Sequence, residues 1–520
     1  MKTRKIDFTD THAFSPFFLD YINQKDTLKK FYSRFPSVAS FEDQIKEKSN
    51  FSHEKRLSLA KELTDQYSNL TITEKVKENI YSLKDSKTFT ITTGHQLNIF
   101  TGPLYFIYKI VTVINACKEL KAAYPAYHFV PVYWMASEDH DYEEIKYFRL
   151  YEKKYVWNTE QQGAVGRFHT KELKNLFNEI PGEISLFREA YTKSKNLSQA
   201  VRHYVNALFG GEGLVVVDAD NRELKKSFAH VIKDDLFKHS AKSLVDQATQ
   251  ELQSSGYHTQ VNAREINFFY LIDGLRSRLE KTADGFQVVD STLKFSDAEV
   301  QKMILEEPEK FSPNVILRPL YQEIILPNLA YCGGPAELVY WLQLKGVFEN
   351  FETPFPILLP RSFVMVMDEP TMKKFEKTKL EIKDLFEEKN YLFNHWIAQN
   401  SNHQLSLGKE LETIQHILNE VKERATKIDA TLSKFVGAET QRAVNGLEKI
   451  EKKMLRAEKR LHADKLRQIE AVKDSLFPNG SLQERTDNFL NFYQSDPSFI
   501  RKAIDHLAPF DFKFNVLIYD

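Results

Sequence analysis

The strongest constraint on the fold of this chain is a repeated grammar: a short β-branched and aromatic run, a loop of glycine or acidic residues, then a helix. Thr88 to Thr93 passes through Gly94-His95-Gln96 into a long apolar helix starting near Pro103, whose missing N–H suits a first helical turn. His128 to Met135 is continuously apolar, as in a strand buried on both faces, and ends in an acidic loop at Glu138. Leu214 to Val217 ends in Asp218 and Asp220 before a helix near Arg222. Ile324 to Tyr331 leads to Gly333-Gly334-Pro335 and a helix through about Phe348, and Pro356 to Met367 supplies one or two more strands. Such alternation predicts an open, doubly wound, mostly parallel α/β sheet.

Other segments decorate this core. Asp7 to Leu83 reads as an N-terminal helical wrap, with a capping box at Thr71 and Glu74. Between about 256 and 290 helical spacing vanishes, and Asp273-Gly274 and Asp284-Gly285 separate short β-rich runs, the signature of an antiparallel hairpin insertion. Beyond about residue 370, Leu411, Ile414, Leu418, Val421, Ala425, Ile428, Leu432 and Phe435 step alternately by three and four. Gly437 is the expected break. Ala443, Leu447, Ile450, Met454, Ala457 and Leu461 keep the spacing, and Leu466, Ile469, Val472 and Leu476 resume it after a phase shift. This predicts a long α-helical antiparallel coiled coil. The expected domains are a core over 1–370 (wrap 1–85), a coiled coil over 371–490 and a strand-like return to the core over 491–520.

Charge and cysteine content narrow the class. The 520 residues carry 71 Lys+Arg against 72 Asp+Glu, a net charge of -1, which argues against a dedicated nucleic-acid binder. The Lys/Arg-rich run from Lys449 to Arg467 alternates with glutamates and reads as a solvated heptad face. Two cysteines cannot form a disulfide framework, and both Cys117 and Cys332 read as reduced, buried small side chains. The first residues lack the apolar core of a signal peptide, and no run of about 18 apolar residues occurs. The expectation is a soluble cytoplasmic protein without membrane or nucleic-acid partners.

Three constellations could carry chemistry. The loop Gly94-His95-Gln96-Leu97-Asn98-Ile99-Phe100-Thr101-Gly102 follows a parallel strand and precedes a helix, where unpaired N–H groups favour an anion. Gly94, Gln96, Asn98, Thr101 and Gly102 are its candidate binding residues, and His95 can donate to a phosphate or move a proton; a plain turn glycine beside an exposed histidine is the alternative. Glu138, Asp139, His140 and Asp141 could hold a cation, orient an amine or act as base, whereas Glu143 and Glu144 read as helix-start charges. Arg318, Gln322 and Glu323 pair with Gly333, Gly334 and Glu337 as a third set, in which arginine recognises a carboxylate and the helix start a second anion, unless they form a surface turn with an ordinary salt bridge. Arg361 is a further anion-binding candidate. No metal site is assigned, and there is no Walker A loop, complete GxGxxG, HExxH or paired CxxC.

At these residues the chain resembles a known family. TTGHQLNIFTGPLYFIYKI (Thr92 to Ile110), PVYWMASEDHDYEEI (Pro131 to Ile145), NFFYLIDGLRSRL (Asn267 to Leu279), LRPLYQEIILPNLAYCGGPAELVYWLQLK (Leu317 to Lys345) and NGSLQER (Asn479 to Arg485) look like the bacillithiol biosynthesis cysteine-adding enzymes, BshC. The blocks run in order through nearly the whole chain. The resemblance implies a Rossmann-like core with a coiled coil, usually dimeric, and a ligase joining L-cysteine to the glucosamine amine of glucosaminyl-malate in the last step of bacillithiol biosynthesis. It also implies a distant similarity to nucleotidyltransferases and class I aminoacyl-tRNA synthetases. Of their His-x-Gly-His loop this chain keeps only Gly94-His95, with no Lys-rich second signature loop, so the activating cosubstrate stays open, ATP or another nucleotide being one candidate.

On that reading His95 and the Gly333-Gly334 helix start bind phosphate or carboxylate. Asp139, His140 or Asp141 hold and deprotonate the amine, and Arg318 pairs with a substrate carboxylate. Two competing functions are a nucleotidyltransferase-like enzyme acting on a sugar or acid, and a non-enzymatic coiled-coil scaffold that binds a metabolite.

Overall fold

The computed structural model describes residues 1–519 and divides into two compact units. The first comprises Met1–Thr9, Ala13–Val366 and Ser481–Leu517, and the second is built on Met367–Gly480, with Asp10–His12 and the chain from Ile518 on.

The first unit is organised by a five-stranded parallel sheet in the order Ile357–Pro360, Asn328–Gly333, Thr88–His95, His128–Met135, Val215–Asp218. All eight residues of Thr88–His95 are buried, so its threonines need internal partners. Thr90 and Thr92 donate to Asn328 Oδ1 at 3.0 and 2.8 Å, and Thr93 donates to the Cys332 carbonyl at 2.8 Å. The chain builds outward from Thr88–His95 on one side, then returns to add Asn328–Gly333 on the other. The order therefore reverses between those two strands, and open α/β sheets bind ligands at the carboxyl end of such a reversal.

The antiparallel insertion is present and larger than the sequence indicates. Phe268–Ile272, Leu275–Thr282 and Gly285–Val288 are joined by tight turns at Asp273-Gly274 and Asp284-Gly285. Lys294–Phe295 and Phe311–Pro313 complete its five strands. A small three-stranded sheet sets Phe514–Ile518 between Lys2–Ile6 and Phe363–Met367.

Four local expectations are corrected. The cap of the helix Glu74–Ser82 is Thr73, whose side chain accepts from Val76 N–H at 3.3 Å, rather than Thr71. Ile324 and Ile325 end a helix, Arg318–Ile325, that has proline in its first turn; the strand begins only at Asn328. The helix after Gly334 is two helices, Pro335–Trp341 and Lys345–Asn350. Finally, Gly437 lies inside the helix Leu432–Leu461.

In the second unit Gly408–Ile428 packs along Leu432–Leu461, and the break between them is Asp429-Ala430-Thr431. Asp429 accepts the Thr431 backbone N–H and hydroxyl, both at 2.8 Å, which closes the turn. The phase shift in the heptads coincides with the helix end at His462; Ala463–Leu476 then buries Leu466, Ile469, Val472 and Leu476, with Glu369–Glu376 and Lys389–Asn400 packed against this helix. Among the described residues no helix is long and apolar enough to cross a membrane. Cys117 and Cys332 are free and buried, and burial pushes the Cys332 thiol up to about 12.

Candidate active site

A cleft of about 390 Å³ opens where the strand order reverses. It is lined by Gly94, His95 and Gln96 from one strand end and by Glu138, Asp139 and His140 from the next. Arg318, Tyr331 and Glu337 close it from the far side, and Phe269 and Arg276 reach it from the inserted sheet.

His95 is the last residue of its strand and only 8 % exposed. Its ring stacks on Tyr105 (centroids 5.1 Å apart, planes 7° apart) and lies 5.1 Å from Phe106. Nε2 is buried without a hydrogen-bond partner. Burial, and then the positive charges of Lys109 and Arg361, hold its protonation well below the ordinary imidazole range. The ring is neutral at pH 7 and keeps an uncommitted nitrogen on a residue that lines the cleft.

Gln96 donates to Asp139 Oδ2 at 2.5 Å, and because a carboxylate only accepts, the amide oxygen must point the other way. That Oε1 is also buried and unpartnered. The third such atom is Arg318 Nη2. The Arg318 guanidinium sits 5.9, 5.5 and 6.0 Å from the rings of Trp134, Tyr331 and Trp341, and Nη1 donates to Gln322 Oε1 at 3.2 Å. Aromatic faces, Gln322 and the Tyr340 hydroxyl fix its direction, and the Nη2 edge keeps a nitrogen without a hydrogen-bond partner. A carboxylate is the natural complement of that edge.

Glu138 is held rather than free. Its Oε1 pairs with the fully buried Lys225, and its Oε2 accepts from Ser312 Oγ at 3.1 Å. Burial raises its protonation and Lys225 opposes this. Asp139 Oδ1 accepts from the His140 backbone N–H at 2.7 Å.

Other predicted residues lie outside the cleft lining. Asp141 caps the short helix Tyr142–Ile145, accepting from Glu144 N–H at 3.3 Å, the ordinary role of an acid before a helix. Asn98 donates to the Glu144 carbonyl at 2.9 Å, and Thr101 and Gly102 continue the loop at positive φ. A side chain at Gly102 would meet Asn98 Cβ at 2.6 Å, so that glycine serves close packing. Glu323 is buried, accepting from Gln322 and Asn328 at 2.9 and 2.6 Å and pairing with Lys48 at 3.4 Å. The Gly333-Gly334 helix start is closed to an anion because Glu337 Oε2 already accepts the Gly334 N–H at 2.9 Å.

Arg361 is likewise committed. It forms a bidentate pair with Glu484 (2.8 and 2.6 Å), with both side chains at most 2 % exposed. Glu484→Gln would leave that cation without its counter-charge, and a loss of about 3–5 kcal/mol is expected. Thermal and denaturant unfolding of the full chain check it; an unchanged midpoint would show the pair to be dispensable.

Sequence reasoning missed Lys109. Its Nζ donates to the Gly94 carbonyl at 2.8 Å and to Glu337 Oε1 at 2.5 Å, tying the glycine-histidine loop to the opposite helix. The signal was present: it is the single charge in the buried helical run from Tyr105 to Ala116, and such a charge needs a partner. Arg276, Ser312 and Lys225 had no comparable local signal. Among the described residues no group of three His, Cys, Asp or Glu side chains is arranged to hold a metal ion.

Comparison with known proteins gives two family-model matches: the bacillithiol biosynthesis BshC N-terminal Rossmann-like domain over residues 1–362, and the BshC C-terminal coiled-coil domain over residues 364–519. Three relatives bear the name "Putative cysteine ligase BshC". That of Flavobacterium psychrophilum is 42 % identical over 99 % of both chains. That of Flavobacterium johnsoniae is 41 % identical over 99 % of this chain and 100 % of its own. The Cytophaga hutchinsonii protein is 38 % identical over 99 % of both.

Proposed function

Because the chain belongs to the bacillithiol biosynthesis BshC family, a family of cysteine ligases, we propose that this cleft joins the carboxyl group of L-cysteine to the glucosamine amine of glucosaminyl-malate, the last step of bacillithiol synthesis. The observation that carries the reading is that three residues lining one cleft each keep a buried polar atom without a hydrogen-bond partner: His95 Nε2, Gln96 Oε1 and Arg318 Nη2. Native interiors rarely leave such atoms unpaired, and a ligand with a carboxylate and an amine would satisfy them together.

The chemistry assigns roles. A carboxylate does not react with an amine in water at neutral pH, so the cysteine carboxyl must first carry a leaving group, and the amine must lose a proton to attack. Arg318 holds a substrate carboxylate against the aromatic wall. The neutral His95 Nε2 accepts the proton released as the amine forms the amide bond. Gln96 Oε1, with the negative charge of Asp139 behind it, orients the amine. A nucleotide is the candidate source of the leaving group.

The test mixes purified protein, L-cysteine and glucosaminyl-malate with and without nucleotides and looks for the condensed thiol by mass spectrometry. Product formation is expected. No product with any nucleotide, together with normal bacillithiol in a deletion strain, would overturn the reading.

We also infer a cytoplasmic location, which the two free, buried cysteines and a thiol product support. We also propose a homodimer through the coiled coil. Its helices leave Ile417, Ile450 and Leu461 50–74 % exposed, apolar side chains that a second copy of the hairpin would cover. Light scattering should return twice the chain mass, and a monomer mass at micromolar concentration would refute it.

A further inference from the structure

We propose that Arg276, brought into the cleft by the inserted antiparallel sheet, is a positioning residue that fixes the acidic loop and makes His140 a hydrogen-bond donor to substrate through Nε2. Arg276 lies one residue beyond the start of the strand Leu275–Thr282, directly after the Asp273-Gly274 turn. Its side chain is 6 % exposed and its guanidinium carbon stands 4.0 Å from the centre of the Phe269 ring.

All three of its nitrogens are engaged. Nε donates to Ser312 Oγ at 3.0 Å, and Nη2 to the Pro313 carbonyl at 3.3 Å, which anchors the group to Phe311–Pro313, the strand beyond Phe268–Ile272 in the same sheet. Nη1 faces His140 Nδ1 at 2.5 Å and Asp139 Oδ1 at 3.4 Å. Ser312, held from behind by Arg276, donates onward to Glu138 Oε2 at 3.1 Å. Two residues of the insertion thus fix three consecutive residues of a loop on another sheet.

The consequence for His140 follows from donor and acceptor chemistry. Arginine has no acceptor, so Nδ1 of His140 must be the accepting nitrogen, and the neutral ring then carries its proton on Nε2. A doubly protonated ring would set N–H against N–H. The groups that face this ring are Arg276 and Phe269 from the insertion, the latter with centroids 5.4 Å apart, and Asp139 and Asp141 from its own loop. Burial and Arg276 lower its protonation, and the two aspartates oppose them. His140 therefore does not take the proton from the amine, the role its place in the acidic loop suggests. It offers Nε2–H to a substrate oxygen, and proton acceptance falls to His95.

The structural part stands on geometry alone; the kinetic part rests on the ligase reading of the cleft. The experiment separates them. Full-length protein carrying ¹⁵N-histidine is titrated by NMR, with the His140 signals assigned by their loss in His140→Asn. In Arg276→Ala the His140 midpoint should move upward, since the competing N–H is gone while both aspartates remain. Arg276→Lys, which keeps the charge but has no second arm for Ser312, should fall between the two and serves if the alanine variant does not fold. An unchanged midpoint in every variant that folds overturns the proposal, whether or not the protein makes the thiol. In the ligase assay, kcat should fall about 10–100-fold in Arg276→Ala, the effect of a misplaced contact, with KM for the carboxylate substrate held near its original value. A raised midpoint with unaltered kcat overturns the donor role.

Discussion

His95→Gln should lower turnover to the condensed thiol by about 10²–10⁴-fold, the usual contribution of a positioned acid–base group. Glutamine keeps a polar atom near the place of Nε2 but cannot take a proton, so the loss should appear in kcat rather than in KM. Folding should survive, because the stacking partner Tyr105 and the backbone bond from Ala136 N–H to the His95 carbonyl (3.0 Å) remain. Steady-state kinetics with mass-spectrometric detection measure this. A variant that turns over at the parent rate would remove His95 from the mechanism.

The same residue sets a pH dependence with a definite sign. Its protonation in the folded state lies well below the unfolded value of 6.5, because burial and then Lys109 and Arg361 disfavour the cation. Below pH 6.5 the unfolded chain therefore binds a proton that the folded chain does not, and this group costs stability progressively as the pH falls. At neutral pH and above the cost is absent. His95→Gln should flatten the acid side of a plot of unfolding free energy against pH, and a parallel curve would contradict the assignment.

Arg318→Gln should raise KM for the carboxylate it binds by about 10²-fold, since a hydrogen bond to a charged group contributes about 1.5–3 kcal/mol. Lysine at this position should recover only part of the loss. Its ammonium is a point charge that cannot present two parallel N–H groups or pack flat among Trp134, Tyr331 and Trp341. Comparing KM for L-cysteine with KM for glucosaminyl-malate in the two variants identifies whose carboxylate is held. Equal KM values for wild type and Arg318→Gln would show that the open Nη2 meets no substrate.

Much of the fold was legible because its signals are local. The strand Thr88–His95 and the Asp-Gly turns of the insertion follow from residue types within a few positions. The structure departs from these signals where a local pattern suits two conformations. Ile324-Ile325-Leu326 is a short apolar run that suits a strand or the end of a buried helix, and only the chain's path decides between them. Gly437 attracted the break of the coiled coil because glycine costs a helix about 1 kcal/mol. Yet the chain turns at Asp429–Thr431, and Gly437 sits beside Lys422, where a Cβ would stand 3.8 Å from Nζ.

The candidate site divides along a similar line. Gly94, His95, Gln96, Glu138, Asp139, His140, Arg318 and Glu337 are candidates on sequence grounds and line one cleft. Asp141, Arg361 and Glu323 share the same sequence signal, a charge near a strand end or in a candidate loop, and are a cap and two members of buried pairs. Nothing local distinguishes the two groups.

The sequence by itself determined the parallel strands, the glycine and acidic loops at their ends, the hairpin insertion and the heptad helices, because hydrophobic periodicity and turn chemistry act over a few residues. Only the tertiary structure decided which charges are free to work. Lys109 meets Glu337 across 228 positions, Arg276 meets His140 across 136 and Arg361 meets Glu484 across 123. A buried charge is silenced or exposed by whichever opposite group the fold brings within about 3 Å, and the chain's path, not its local composition, chooses that partner.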